Sequence, residues 1–215
     1  EVPELPDVTL YVEDLTRRLA GRVLERVRVA SPFLLRTVSP PLTAAEGRTI
    51  RGFRRLGKRV VFELEHGPFL VVHLMVAGRF HWKDAGRAPL PGKVGLAAFD
   101  AAGATLLLTE ASPKKRASLH VVAGEAELAA LSRGGIEPLE ADLSAFASAL
   151  RSESHTVKRA LTDPRLVSGI GNAYSDEILH AARMSPFALT RKLGDEEVAR
   201  LFEAMRTTLV SWIER

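Results

Sequence analysis

Residues 166–177 read "LVSGIGNAYSDE", and the fold turns on how that stretch is taken. Pro164 stops a helix just upstream, and the apolar spacing of a new helix starts near Asn172. Between them, Ser168-Gly169-Ile170-Gly171 has the composition of a tight corner. A helix start carries unpaired N–H donors and partial positive charge, so an anion is its expected occupant. Glycine lets a phosphate approach the backbone, and the Asn172 amide adds another donor. The same letters also serve as a plain corner between two helices, so the stretch alone does not assign a function.

Working outward, the chain after about residue 125 is helical in period: "EAELAAL", "LSAFASALRS", "HTVKRAL", "NAYSDEILHAARM" and "DEEVARLFEAMRTTLVSWIER". Asp142 and Asp195 stand where caps belong. Before that point the pattern is different. Val8, Val12, Leu15 and Leu19 mark one leading helix that Gly21 stops. Strand-like runs follow at 23–29, 49–55, 59–64, 69–75, 94–99, 104–109 and 118–122, with turns at "EHGP" and "DAAG". Strands first and helices second predict an α+β chain. It comprises an N-terminal β-sandwich with a leading helix over residues 1–124 and an all-helical domain over 125–215, the boundary falling near Gly124 to Glu140. The last helical pattern reaches Arg215 without a glycine stop, so further sequence is expected beyond it.

Composition narrows the partners. The chain has 215 residues, no cysteine and a formal charge of +4, with a sequence pI near 9.7. Disulfides and thiolate metal sites are excluded within it. Basic clusters "RLAGRVLERVR" (18–28), "RGFRRLGKR" (51–59) and "PKKR" (113–116) suit a polyanion, though each alone also suits a solvated face. The longest apolar run, "FLVVHLM", is far too short to span a membrane. His73, His81, His120, His155 and His180 match no common metal spacing, so no metal is assigned.

Read residue by residue, Pro3-Glu4 near a helix start is ordinary helix initiation, and Lys58 at the head of a strand facing inward with Val60, Phe62 and Leu64 is an ordinary solvated end. The order of motifs changes that reading. "LVSGIGNAYSDEILHAARMSPF" resembles the helix–two-turns–helix element of the formamidopyrimidine-DNA glycosylase and endonuclease VIII family. "PELPDV" is similar to its N-terminal catalytic motif, "RRLGKRVVFEL" to the strand with its essential lysine, "HLMVAGRF" to its DNA-facing loop and "GGIEPLE" to its interdomain segment. The resemblance covers essentially the whole chain.

The resemblance implies a DNA glycosylase with abasic-site lyase activity on oxidised or otherwise damaged bases. Its partner would be duplex DNA carrying a damaged base or abasic site, bound by a monomer in the bacterial cytoplasm at the nucleoid, with no membrane. Pro3 would be the nucleophile, Glu4 the proton carrier and Lys58 a phosphate holder. Asn172, Gly169, Gly171 and Lys158 would grip phosphate, with Asp7 and Glu177 supporting the site. His73, Met75, Val76, Lys114, Lys115 and Arg116 would face DNA.

The chain departs from the family in three places. Val76 stands where the usual methionine belongs, with Met75 one place earlier. "TEASPKKRASLH" lacks the aromatic of the family's Arg–Phe pair. Pro3 follows Glu1 and Val2, so in this sequence its nitrogen is an amide: either those two residues are removed or foreign to the protein, or the chain has lost this nucleophile and Lys58 is the candidate substitute amine. No cofactor is implied within these residues; zinc enters only with a finger beyond Arg215. A non-catalytic binder of damaged or branched DNA is the alternative, and an RNA-binding module a third.

Overall fold

The leading helix α1 runs Leu5–Leu19 in the computed structural model, which describes residues 2–215. Glu4 precedes it, and the Glu4 N–H donates to Asp7 Oδ2 at 2.8 Å, the return bond of a capping box. Gly21, at φ 87, ends it in the left-handed region as its position predicted. Two compact units divide the described chain: Leu10–Leu131, and Val2–Thr9 together with Ser132–Arg215.

The first unit carries strands β1 Val23–Val29, β2 Arg48–Leu56, β3 Arg59–Leu64, β4 Phe69–His73, β5 Gly78–Lys83, β6 Gly95–Ala101, β7 Ala104–Glu110 and β8 Ser118–Val122. They form one sheet in the order β5-β7-β6-β1-β2-β3-β4-β8, with every pairing antiparallel. Sequence pattern predicted seven strands and missed β5. Gly78-Arg79 reads as a stop, yet the chain makes a tight corner at Met75, φ 56, and re-enters the sheet. β4 accordingly ends at His73 rather than at residue 75.

Aromatic rings fill this sheet's interior. Phe62 of β3 stacks on Phe99 of β6 with centroids 4.7 Å apart. Those strands lie three places apart in the order, about 14 Å in a flat sheet, so the sheet curls to bring them together. Phe53 and Phe80 continue the stack at 4.6 and 6.5 Å, and Tyr11 of α1 meets Phe80 edge-on at 5.5 Å. Strand β3 is buried on both faces, contrary to its alternating pattern: Val61 is as deeply buried as Val60 and Phe62. The reason is a short helix, α2 Glu125–Ala129, whose Leu128 packs with Val61, Val71 and Val122. Helix α2 thus belongs to the strand unit, which extends to Leu131.

The second unit contains α3 Leu143–Arg151, α4 Val157–Thr162, α5 Asn172–Ala182 and α6 Asp195–Ile213, plus a 3₁₀ turn at Thr190–Lys192. Its core gathers Phe146, Leu150, Leu161, Ile178, Leu201, Phe202 and Met205, and Leu5 from the chain's start joins them. Each such side chain contributes about 2 kcal/mol on burial. Asp142 caps α3 as expected, accepting from the Ala145 N–H at 2.8 Å. Asp195 does not cap α6: Gly194 holds the cap position and donates its N–H to Glu197 at 3.1 Å, while Asp195 takes Arg151 at 3.0 Å. Two isolated bridges, Ile136 with Val167 and Thr156 with Leu189, tie the loops.

Candidate active site and nucleic-acid contacts

Helix α4 starts on the Thr156 hydroxyl, which accepts from the Arg159 N–H at 3.3 Å, and stops at Asp163-Pro164. The Asp163 carbonyl then accepts from Leu166 and Val167, both at 2.9 Å, closing a first turn. Gly169 makes the second turn at φ 84, a conformation side chains resist. Its carbonyl accepts from the Leu5 N–H at 2.8 Å, which pins the chain's first residues to the corner.

That pin delivers an anion. Glu4 Oε1 accepts from Gly171 N–H at 2.5 Å and Tyr174 N–H at 3.2 Å, and Oε2 from Ala173 N–H at 3.0 Å. The N-terminus of α5 is therefore filled by the chain's own carboxylate, whereas the sequence suggested a phosphate on those amides. Gly171 serves Glu4 and Gly169 serves Leu5. The local helix pattern could not reveal this partner, although an acidic motif and an empty helix start together form a pairable set. With N–H donors aimed at both oxygens, Glu4 is arranged as a carboxylate rather than an acid, although it is 1% exposed. Pro3 beside it is also buried, and Asp7 fixes the Glu4 backbone.

Asn172 is exposed, and its side-chain amide has no hydrogen-bond partner among the described residues. Lys158 Nζ donates to Asp176 Oδ1 at 2.6 Å, so its charge is shared with a carboxylate one turn into α5. Glu177 follows on the exposed side of that helix.

The strand unit assembles the other predicted residues. Gly57, at φ 64, and Lys58 form the two-residue turn between β2 and β3, closed by the Leu56–Arg59 pair. Arg59 stands opposite His73 on β4. Burial first, then the charges of Arg59, Lys58 and the nearby His120, push His73 down to about 4. His73 is thus neutral at physiological pH. Arg59 and His120 escaped the sequence reading because only strand register places them beside His73.

Val76 and the 111–116 loop converge on a small cavity of about 170 Å³ lined by Val76, Ala77, Glu110, Ser112, Lys114 and Arg116. Val76 is 56% exposed and Met75 half-buried. Buried Glu110 organises the loop by accepting from the N–H groups of Arg116 and Ala117 at 3.0 Å. Lys115 turns back to donate to the Glu110 carbonyl, so of the three cations Lys114 and Arg116 are the outward ones.

A zinc finger cannot be built from this chain, which has no cysteine. Glu153, His155 and Asp163 bring ligand atoms within 4.8 Å of one another. Arg165 already satisfies that group, reaching Glu153 at 3.0 Å and Asp163 at 2.8 Å. No helix among the described residues is long and apolar enough to cross a membrane.

Comparison with known proteins follows this geometry. Residues 2–120 match the formamidopyrimidine-DNA glycosylase N-terminal domain, and residues 135–215 match the formamidopyrimidine-DNA glycosylase H2TH domain. Formamidopyrimidine-DNA glycosylase of Moorella thermoacetica is 35% identical over 97% of this chain and 77% of its own length. The crystal structure of MutM (Fpg) from Thermus thermophilus is 35% identical and superposes with a TM-score of 0.85, covering 99% of this chain and 76% of that one. Lactococcus lactis Fpg bound non-covalently to DNA containing an AP site superposes at 0.89 with 25% identity, covering 98% and 82%. Two domain matches in order, and relatives aligned along nearly the whole length, establish that the chain belongs to the formamidopyrimidine-DNA glycosylase family.

Proposed function

We propose that this chain excises damaged bases from duplex DNA and cleaves the resulting abasic site, acting in base-excision repair. The observation that carries the residue roles is the Glu4 carboxylate, fixed on the start of α5 immediately after Pro3. A proline nitrogen attacks C1′ of the damaged nucleotide as the C1′–N bond to the base breaks and the base leaves with a proton. The sugar ring opens and an iminium forms. Its positive charge makes the 2′ proton acidic, so loss of that proton expels the 3′ phosphate, a second elimination expels the 5′ phosphate, and water releases the amine. Glu4, held as an anion, opposes the positive charge that develops at C1′ and relays the protons. Lys58 and the Asn172 amide hold backbone phosphate, and Val76 with Lys114 and Arg116 faces the gap left by the extruded base.

We read the strand-rich part, expected from sequence over residues 1–124, as a β-sandwich catalytic domain that also takes in helix α2, and the part after Leu131, expected over 125–215, as an all-helical helix–two-turns–helix domain. The Phe62–Phe99 stack across a curled sheet supports the first, and the α4–α5 corner the second. A cytoplasmic, nucleoid-associated monomer fits this role.

Pro3 acts only when its nitrogen is free. With Val2 attached the nitrogen is an amide, and the chain then binds damaged DNA without cutting or uses Lys58. Borohydride trapping on an abasic duplex tests this directly. A form beginning at Pro3 should crosslink and nick, and the Val2-extended form should do neither. Equal crosslinking by both, lost in Lys58→Ala, would move the nucleophile to Lys58. No nicking by either form would leave the binder.

A further inference from the structure

The connection from β1 to β2 opens with "ASPFLLR" over residues 30–36. The N–H groups of Ala30 and Ser31 donate to the Leu96 carbonyl on β6 at 2.8 and 3.3 Å. The Leu34 N–H donates to the Ser31 carbonyl at 3.2 Å, closing a four-residue turn with Pro32 and Phe33 at its tip. Leu34 is buried, and its carbonyl accepts from the Leu119 N–H of β8 at 2.8 Å. The Arg36 N–H returns a bond to the Leu119 carbonyl at 2.9 Å. The turn is anchored on both sides, yet it holds the Phe33 side chain 74% exposed.

A lone exposed phenylalanine on a loose loop would carry no meaning. Phe33 differs in its mounting and in its neighbours. The Arg36 guanidinium donates from Nε to the Phe33 carbonyl at 2.6 Å and from Nη2 to the Ala117 carbonyl at 3.4 Å. One side chain therefore clamps the turn to the foot of the 111–116 loop. That loop presents Lys114 and Arg116 outward, and both line the small cavity with Val76. No acid occurs in residues 30–38 or 111–117. Glu110, just before the loop, is buried and engaged by the N–H groups of Arg116 and Ala117. The loop has no aromatic residue of its own, and the clamp brings one to it from a distant segment. A ring bordered by cations and free of acids is the composition that holds an unstacked nucleobase, with the ring on the base and the cations on the flanking phosphates.

We propose that Phe33 stacks on the unpaired base left opposite the extruded nucleotide, so that this turn recognises an opened duplex and not an intact one. The inference rests on the DNA-binding reading above. In an intact duplex each base face is covered by its neighbours, so a ring at the tip of a short turn finds no partner there. Extrusion of one nucleotide uncovers base faces beside the gap. Stacking tolerates any base, since every base has a π-face. The anchored turn orders little further chain when the ring seats, which keeps the cost of binding low. Lys114 and Arg116 attract the phosphates of any duplex, whereas Phe33 contributes only where a base is unpaired.

Fluorescence anisotropy with two duplexes of one sequence, one intact and one carrying a tetrahydrofuran abasic analogue, tests the proposal. Phe33→Ala should weaken binding of the tetrahydrofuran duplex roughly tenfold, as expected for loss of one base–aromatic stack, and change intact-duplex binding by less than about twofold. Its salt slope should match wild type, because no charge is removed. Phe33→Trp should bind the tetrahydrofuran duplex within about threefold of wild type. The added indole fluorescence, taken as the difference from wild type, should be quenched by that duplex and not by the intact one. Thermal melts of both variants should overlay wild type, because the side chain is largely exposed. Undiminished binding of the tetrahydrofuran duplex by Phe33→Ala, an equal loss on both duplexes, or an indole signal indifferent to the lesion overturns the inference and leaves the DNA-binding reading intact. If wild type binds neither duplex, that reading falls and this inference with it.

Discussion

The carboxylate of Glu4 accepts the Gly171 amide at 2.5 Å across 167 residues of chain. A glutamine there would turn an NH₂ group toward a main-chain N–H, losing at least one bond and the charge that favours a helix start. Glu4→Gln should cost about 2 kcal/mol of stability. It should also slow base release in single-turnover assays by at least about a hundredfold. Wild-type turnover in a folded Glu4→Gln variant would remove Glu4 from proton transfer.

His73 makes the fold acid-sensitive. Its folded pKa of about 4 lies below the ordinary histidine value of 6.5, so between those values the unfolded chain binds more protons. Stability from this residue is therefore complete above pH 6.5 and is lost as pH falls toward 4. The loss is on the order of 3 kcal/mol at most. Denaturant melts from pH 7 to pH 4 should show that slope, and His73→Gln should flatten it.

Asn172 and Lys158 should separate by their salt response. Asn172→Ala removes an uncharged donor, so affinity for an abasic duplex should fall about tenfold with the salt slope intact. Lys158 must leave Asp176 to reach phosphate, so Asp176→Asn should tighten binding by about twofold to fivefold. Anisotropy titrations at several salt concentrations read both effects.

Gly78 is needed for the corner that presents Val76. A Cβ at this position would lie 2.3 Å from the Leu74 carbonyl oxygen, which accepts the Gly78 N–H at 2.9 Å. Gly78→Ala should cost about 2–4 kcal/mol and lower the melting temperature accordingly, whereas Gly92→Ala, where a Cβ meets open space, should be nearly neutral.

Local pattern revealed what depends on local physics. The helical period after residue 125, the Asp142 cap and the Asp163-Pro164 stop all stand in the structure. Strand β5 was hidden because Gly78-Arg79 looks like an end, and only its pairing with β7 shows that it is a strand. Val61 was misplaced because its burial comes from α2, more than sixty residues later. The motifs located Glu4 and Lys58, but not what surrounds them. Glu4 meets the Gly171 amide 167 residues away, and the placement of Lys58, Arg59 and His120 around His73 depends on register across three strands.

Val2–Thr9 complete the helical unit although more than a hundred residues separate them from the rest of it. On the ribosome, Leu5 must wait for the helices after residue 140 to find its core, and Glu4 for α5 to find its amides. Vectorial synthesis therefore leaves the Pro3-Glu4 motif unanchored until α5 has been made, and a nascent chain stalled before residue 171 would carry the motif without the support that positions it.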